Sequence, residues 1–250
     1  GFWAGVPSLP LFAFLMQNGG FQNAIHITSG HFTSHKSFLP DDQYGVCLDN
    51  IVKGCSDMIV RNPEGEILIG RRNVHPQPDW WYIGGRIMPG ESPAQSCSRL
   101  VTRELGLLIE AERFEPICCM SQVWGMREQA PQNHGTCDIN LVLTVELTAE
   151  EADGLKLDAQ EYHESKWTSA REVEEGDYHP ALRYSAKSLR THMKLKDLRA
   201  ATDAGGDDAA VAALAREYVA LLAPPELGET AYKIRSPEKG YEGKVSVALM

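Results

Sequence analysis

Apolar and polar positions along this chain change their period several times, and each change marks an element. Between Gly54 and Arg72 the runs Asp57-Met-Ile-Val60 and Glu66-Ile-Leu-Ile69 flank Asn62-Pro-Glu-Gly65, a pattern that predicts a hairpin. Trp80 to Ile83 is an aromatic, strand-favouring run that leads into Gly84-Gly85, where the chain can turn tightly. Past Gly90 the period lengthens: Ala94, Cys97, Val101 and Leu105 recur at helical spacing. Ser92 suits the N-cap of that helix, Pro93 its first position and Gln95 a capping box, and Gly106 sits where it would end. Phe114 to Trp124 and Ile139 to Leu147 read as strands on either side of a polar loop. The segment 148–158 predicts a short turn ahead of Glu161 to Trp167. Arg171 to Leu198 is helical in pieces, broken near Gly176 and Pro180. Asp207 to Leu222 is an amphipathic Ala/Leu helix that Pro224-Pro225 stops.

The two ends differ from this middle. Residues 1–50 are rich in Gly, Pro and aromatics with little periodicity, so they are expected to form an irregular arm, packed on the chain's own core or docked on a partner. Ala200 to Gly206 is a small, polar break, and the tail from Glu226 to Met250 shows no chemistry. The expected organisation is therefore an arm (1–50), a central α/β domain (51–198) and a C-terminal helix with its tail (199–250).

Charge and cysteine usage narrow the function. A net charge of −10 and a pI near 5.3 exclude a nucleic-acid surface, so an anionic ligand has to be held by local arginines. The most apolar stretch, Phe2 to Met16, is interrupted by Gly5, Pro7 and Pro10, which predicts no transmembrane segment. Cys47, Cys55, Cys97, Cys118, Cys119 and Cys137 lack zinc or paired-disulfide spacing and read as free, mostly buried thiols of a reducing compartment, cytoplasm or organelle interior. The chain begins at Gly1 rather than Met, which leaves the location open.

The stretch Trp80 to Leu107 resembles the Nudix hydrolase box: Gly, five residues, Glu, seven residues, then Arg-Glu-apolar-x-Glu-Glu-x-Gly-apolar. Gly85, Glu91, Arg99, Val101, Glu104, Gly106 and Leu107 match in register, whereas Leu100 and Arg103 replace acids of that pattern. The sequence is most similar to the GDP-mannose mannosyl hydrolase branch, which also carries Arg-Leu in place of Arg-Glu. That likeness runs over about residues 54–189, through DMIVRNPEGEILIGRR, the Val123-Trp124 pair and DAQEYHESKWTS. The resemblance implies an α/β/α sandwich around a mixed sheet. It also implies one Mg²⁺ (or Mn²⁺) and water attack at the anomeric carbon of a nucleoside-diphosphate sugar, releasing intact nucleoside diphosphate.

Carried over residue by residue, the resemblance assigns the metal to Glu104, a backbone carbonyl of Gly84 or Gly85, and Glu161, with Gln160 as its rival. Leu100 lies one turn before Glu104, which removes a ligand and favours a single ion. Arg72 would aid leaving-group departure, while Asp57, Arg86 and His163 would contact substrate. An inward Asp57 pairing an arginine is the structural alternative. Glu91 and Arg99 would brace the loop. The branch's general-base histidine falls on Met126, whose thioether cannot take a proton from water, so His134 or Asp138 has to stand in. Three readings follow: a nucleotide-sugar hydrolase, another phosphoanhydride hydrolase, or a catalytically silent Nudix fold. The last would serve as a homodimer or a subunit of a larger assembly, joined through residues 1–50 and 207–250.

Overall fold

A computed structural model describes residues 24–223, together with the backbone of the strands Gly228–Lys233 and Glu242–Val247. After helix α1 (Asp41–Asn50), seven strands form one mixed sheet. Its central strand β1 (Lys53–Arg61) runs antiparallel to β2 (Ile67–Arg72) and β4 (Ile83–Arg86) and parallel to β6 (Thr136–Glu146). β3 (Trp80–Trp81) and β7 (Tyr162–Thr168) pair with β2, and β5 (Glu115–Trp124) pairs with β6. The β1–β2 hairpin turns where the sequence places it. Gly65 has φ +81°, which a side chain would strain, and Asn62 Oδ1 accepts from the Glu66 amide at 2.8 Å.

Alternation along β1 sorts its side chains between two layers. Met58 and Val60 pack with Cys97, Leu100, Val101 and Leu105 of α2 (Pro93–Leu105). Ile59, on the other face, packs with Leu182, Ala186 and Leu189 of α5 (Pro180–Asp203). The result is the expected mixed sheet between helical layers. Helix α2 starts as predicted: Ser92 Oγ accepts from the Gln95 amide, Gln95 Oε1 accepts from the Ser92 amide, and Gly106 ends the helix at φ +69°. Short helices α3 (Ala149–Gly154) and α4 (Ala170–Glu175) fill the connections around β7.

Two expectations change. The last ten residues of the supposed irregular arm form α1, which buries only Gly45 and Leu48 and so leaves no apolar stripe to read. The break at 200–206 is mostly helix, because α5 continues to Asp203 before Gly205 turns the chain at φ +65°. Helix α6 (Asp208–Leu221), capped by Asp207, then packs on α5 through Lys194 and Glu217 at 2.8 Å. In the tail, β8 (Gly228–Lys233) and β9 (Glu242–Val247) pair antiparallel; the remaining tail and residues 1–23 lie outside the described residues. Among the described residues no helix is long and apolar enough to cross a membrane. Burial raises the thiol pKa of Cys55, Cys97 and Cys118, which keeps them protonated.

Candidate active site

Strand alternation also builds a cavity of about 360 Å³ on the Ile59 face. Lys53, Cys55 and Asp57 line it from β1, and Thr136, Asp138 and Asn140 from the neighbouring β6. Parallel pairing sets Lys53 against Asp138 and Cys55 against Asn140, so both strands present every second side chain to the same space. Gln122 and Trp124 of β5, Gly84 and Arg86 of β4, Arg72 of β2, and Tyr44 and Leu48 of α1 complete the wall. The volume falls in the ~300–1,000 Å³ range of small-molecule sites.

At its floor Asp57 is buried. Its Oδ2 accepts from Trp81 Nε1 at 2.9 Å and from Asn140 Nδ2 at 2.7 Å, and its Oδ1 lies against Gly84, where any Cβ would collide with it. Burial pushes its pKa up to about 6, even though the two donors, with Arg72 nearby, act to lower it. Asp138 repeats the motif with the other tryptophan: Oδ2 accepts from Trp124 Nε1 at 2.7 Å and Oδ1 faces Lys53 Nζ at 3.0 Å. Trp81 and Trp124 meet edge to face at 5.5 Å.

Arginines line the cavity as well as Lys53. Arg72 lines the cavity and makes a loose ion pair with Glu161 at 3.7 Å, and Arg86 stacks over the Tyr44 ring at 4.9 Å. Arg99 clamps the loop below: Nε and Nη2 donate to the two oxygens of Glu91 at 2.6 and 2.8 Å, and Nη2 also donates to the Arg86 carbonyl. Five buried polar atoms without a partner belong to lining residues: Arg72 Nε, Gln77 Nε2, Arg127 Nη2, Thr136 Oγ1 and Asn140 Oδ1. Unsatisfied groups gathered around one cavity are what a polar ligand site leaves behind.

Glu104 stands apart from this wall. It sits on the α2 side, 1 % exposed, with Oε2 accepting from Tyr162 Oη at 2.7 Å and Oε1 bonded by the guanidinium of Arg103. Burial raises its pKa against the opposing pull of Tyr162 and Arg103. Nudix hydrolases generally use a divalent ion, typically Mg²⁺. Here the donor set assigned to it does not fit one. Glu104 has both oxygens occupied, Glu161 is paired with Arg72, and Leu100 is apolar and buried. Among the described residues no three His, Cys, Asp or Glu side chains converge on a metal position.

Of the other expected residues, Gly84, Gly85, Arg86 and Glu161 line the cavity, and Gln160 is exposed beside it. His134 does not reach the cavity. It is half exposed, with Nδ1 at 3.2 Å from Asp49, because the 3₁₀ turn Gln132–His134 carries it out toward α1. His163 is likewise outside and pairs with Asn73 Oδ1 at 2.5 Å, in a part of β7 where residues 163–165 are all exposed. The sequence reading missed Arg127, Trp81, Asn140, Gln77 and Lys53. Only the alternation Thr136-x-Asp138-x-Asn140 carried a readable sign, as a polar strand face.

Several solved structures resemble this one. The MutT protein from Methanosarcina mazei Go1 is 21 % identical, matching 57 % of this chain and 96 % of its own at a TM-score of 0.43. The MutT NUDIX hydrolase from Burkholderia pseudomallei is 16 % identical over 56 % of this chain and 99 % of its own, TM-score 0.46. The C. elegans Ap4A hydrolase is 16 % identical over 57 % and 98 %, TM-score 0.40. The pattern of the NUDIX domain matches residues 55–189, more than half of the chain, and so this protein belongs to the NUDIX family.

Proposed function

We propose that this chain is a hydrolase of nucleoside-diphosphate sugars of the GDP-mannose kind, releasing nucleoside diphosphate and free sugar. The observation that carries the reading is the cavity that sets Arg72 and Arg86 near the buried Asp57. Guanidinium groups suit the two phosphates, and substitution at the sugar carbon asks of the protein mainly that it neutralise the departing diphosphate. Water forms the new C–O bond as the bond from the anomeric carbon to the phosphate oxygen breaks, and the electron pair leaves with the diphosphate. The proton passes to Asp57, which a pKa of about 6 leaves ionised at neutral pH yet more basic than an ordinary carboxylate. This role moves the base from His134 to the cavity floor.

The test is incubation with GDP-mannose and GDP-glucose, with the products resolved by phosphorus NMR. Nucleoside diphosphate and free sugar are expected, and Arg72→Gln is expected to lower kcat about 10²-fold or more, as for loss of a transition-state donor. Absence of both binding and turnover with every nucleotide sugar tried sinks the reading. A second reading, a silent Nudix fold that binds without turnover, is favoured by the sealed Glu104. It predicts saturable nucleotide-sugar binding with the ligand recovered intact.

A further inference from the structure

We infer that Arg103 is a built-in replacement for a divalent cation, so that the chain carries no resident metal at its glycine loop. Neighbouring helix positions do not normally face each other. Arg103 reaches Glu104 because its long, half-exposed side chain curls back toward the loop. There its guanidinium bonds Glu104 Oε1, and Nη2 lies 4.0 Å from where a Cβ on Gly85 would sit. The guanidinium therefore lies within ordinary contact distance of the loop. One positive group bonds the buried carboxylate of α2 and lies beside the loop after β4, the place expected of an ion between Glu104 and a glycine carbonyl.

Charge points the same way. Both carboxylates assigned to the metal have a guanidinium partner, Glu104 in Arg103 and Glu161 in Arg72. A hard dication approaching Glu104 Oε1 would have to displace the Arg103 guanidinium and reach a carboxylate that is 1 % exposed, with Oε2 still held by Tyr162. Carboxylate ligands hold Mg²⁺ or Ca²⁺ through unneutralised negative charge, and here the Glu104 carboxylate is in direct contact with a guanidinium. The inference rests on family membership and this geometry, whatever substrate the cavity takes.

The experiment is a Mn²⁺ titration of the full chain without nucleotide, following free Mn²⁺ by electron paramagnetic resonance. The wild type is expected to show only weak uptake that Glu104→Gln leaves unchanged. Arg103→Ala is expected to gain a site about 10–100-fold tighter, the range by which groups around a ligand alter metal affinity, and Arg103→Ala with Glu104→Gln to lose it again. Mn²⁺ should raise the Tm of Arg103→Ala and not that of the wild type. Arg103→Gln, which keeps a donor for Glu104, repeats the test if the alanine variant is poorly folded. A wild-type site that Glu104→Gln abolishes overturns the inference, as does a folded Arg103 variant that gains none. Turnover is measured in a separate assay, so failure of the nucleotide-sugar reading does not alter this result.

Discussion

Asp57 and Glu104 are both buried carboxylates, and their partners give them different work. Asp57 faces a cavity with one oxygen against Gly84, while Glu104 is enclosed by Tyr162 and Arg103. A rise of the Asp57 pKa from 3.8 to about 6 corresponds to on the order of 3 kcal/mol. The sign follows from proton binding: between these values the native state holds the proton more firmly than the unfolded chain. The contribution is therefore fully present below about pH 4 and is lost as pH rises through 6. The Tm of the wild type relative to Asp57→Asn should fall between pH 4 and 6.5 and stay level above, which thermal melts across that range would check. A level difference throughout would place the Asp57 pKa near its ordinary value. If Asp57 is the base, kcat/KM should climb over the same interval and Asp57→Asn should lose about 10²–10⁴-fold. For Glu104 the sensitive partner is Tyr162. Tyr162→Phe removes a donor from a buried carboxylate and should cost about 1–3 kcal/mol in urea melts.

At the scale of elements, the sequence carried most of the fold because the signals were local. Ser92, Pro93, Gln95 and Gly106 bracket α2 by capping chemistry alone, and Asn62 to Gly65 fixes the β1–β2 turn. Helix α1 was hidden because only Gly45 and Leu48 are buried on it, and no periodic stripe survives such sparse contact. The site was partly legible. Arg72, Arg86, Asp57 and Glu161 could be named from their places around the box, but roles that depend on pairing could not. Nothing linear says that Arg103 bonds its neighbour or that Asn140 of β6 donates to Asp57 across the parallel pair. The tightest of these junctions is between β1 and β4, where Asp57 pairs with Gly84. A methyl group at 84 has to displace the Asp57 carboxylate from its two donors. Gly84→Ala is therefore expected to destabilise the chain by about 1–3 kcal/mol, the range for overpacking a core, and to abolish ligand binding. Wild-type Tm and affinity in that variant would show that the strands can part there.

For the molecule as a whole, the cavity is closed by a piece of chain that lies outside the NUDIX match. Residues 55–189 supply the sheet and the box, whereas Tyr44 and Leu48 of α1 make the cover. Arginines join that cover to the domain at both of its ends. Arg127 is 2 % exposed and donates to Asp49 Oδ1 at 2.6 Å, to the Gly135 carbonyl at 3.2 Å and to the Gln129 carbonyl at 3.0 Å, so one side chain ties α1 to the β5–β6 loop. The same guanidinium holds the Asp49 carboxyl below its ordinary pKa, with His134 adding to the effect. Across the cavity Tyr44 lies under Arg86, a contact worth about 0.5–1 kcal/mol where exposed. Removing the first tie should free the helix before it harms the sheet, because α1 buries so little apolar surface of its own. Arg127→Ala is expected to speed amide exchange across Asp41–Asn50 while β1 and β6 keep their protection. Tyr44→Ala should leave exchange in the sheet unchanged and raise KM for a nucleotide sugar about 2–5-fold, because Arg86 loses the ring that holds it over the cavity. Exchange across β1 that rises together with α1 in Arg127→Ala would mean that the helix is part of the core rather than a cover laid on it.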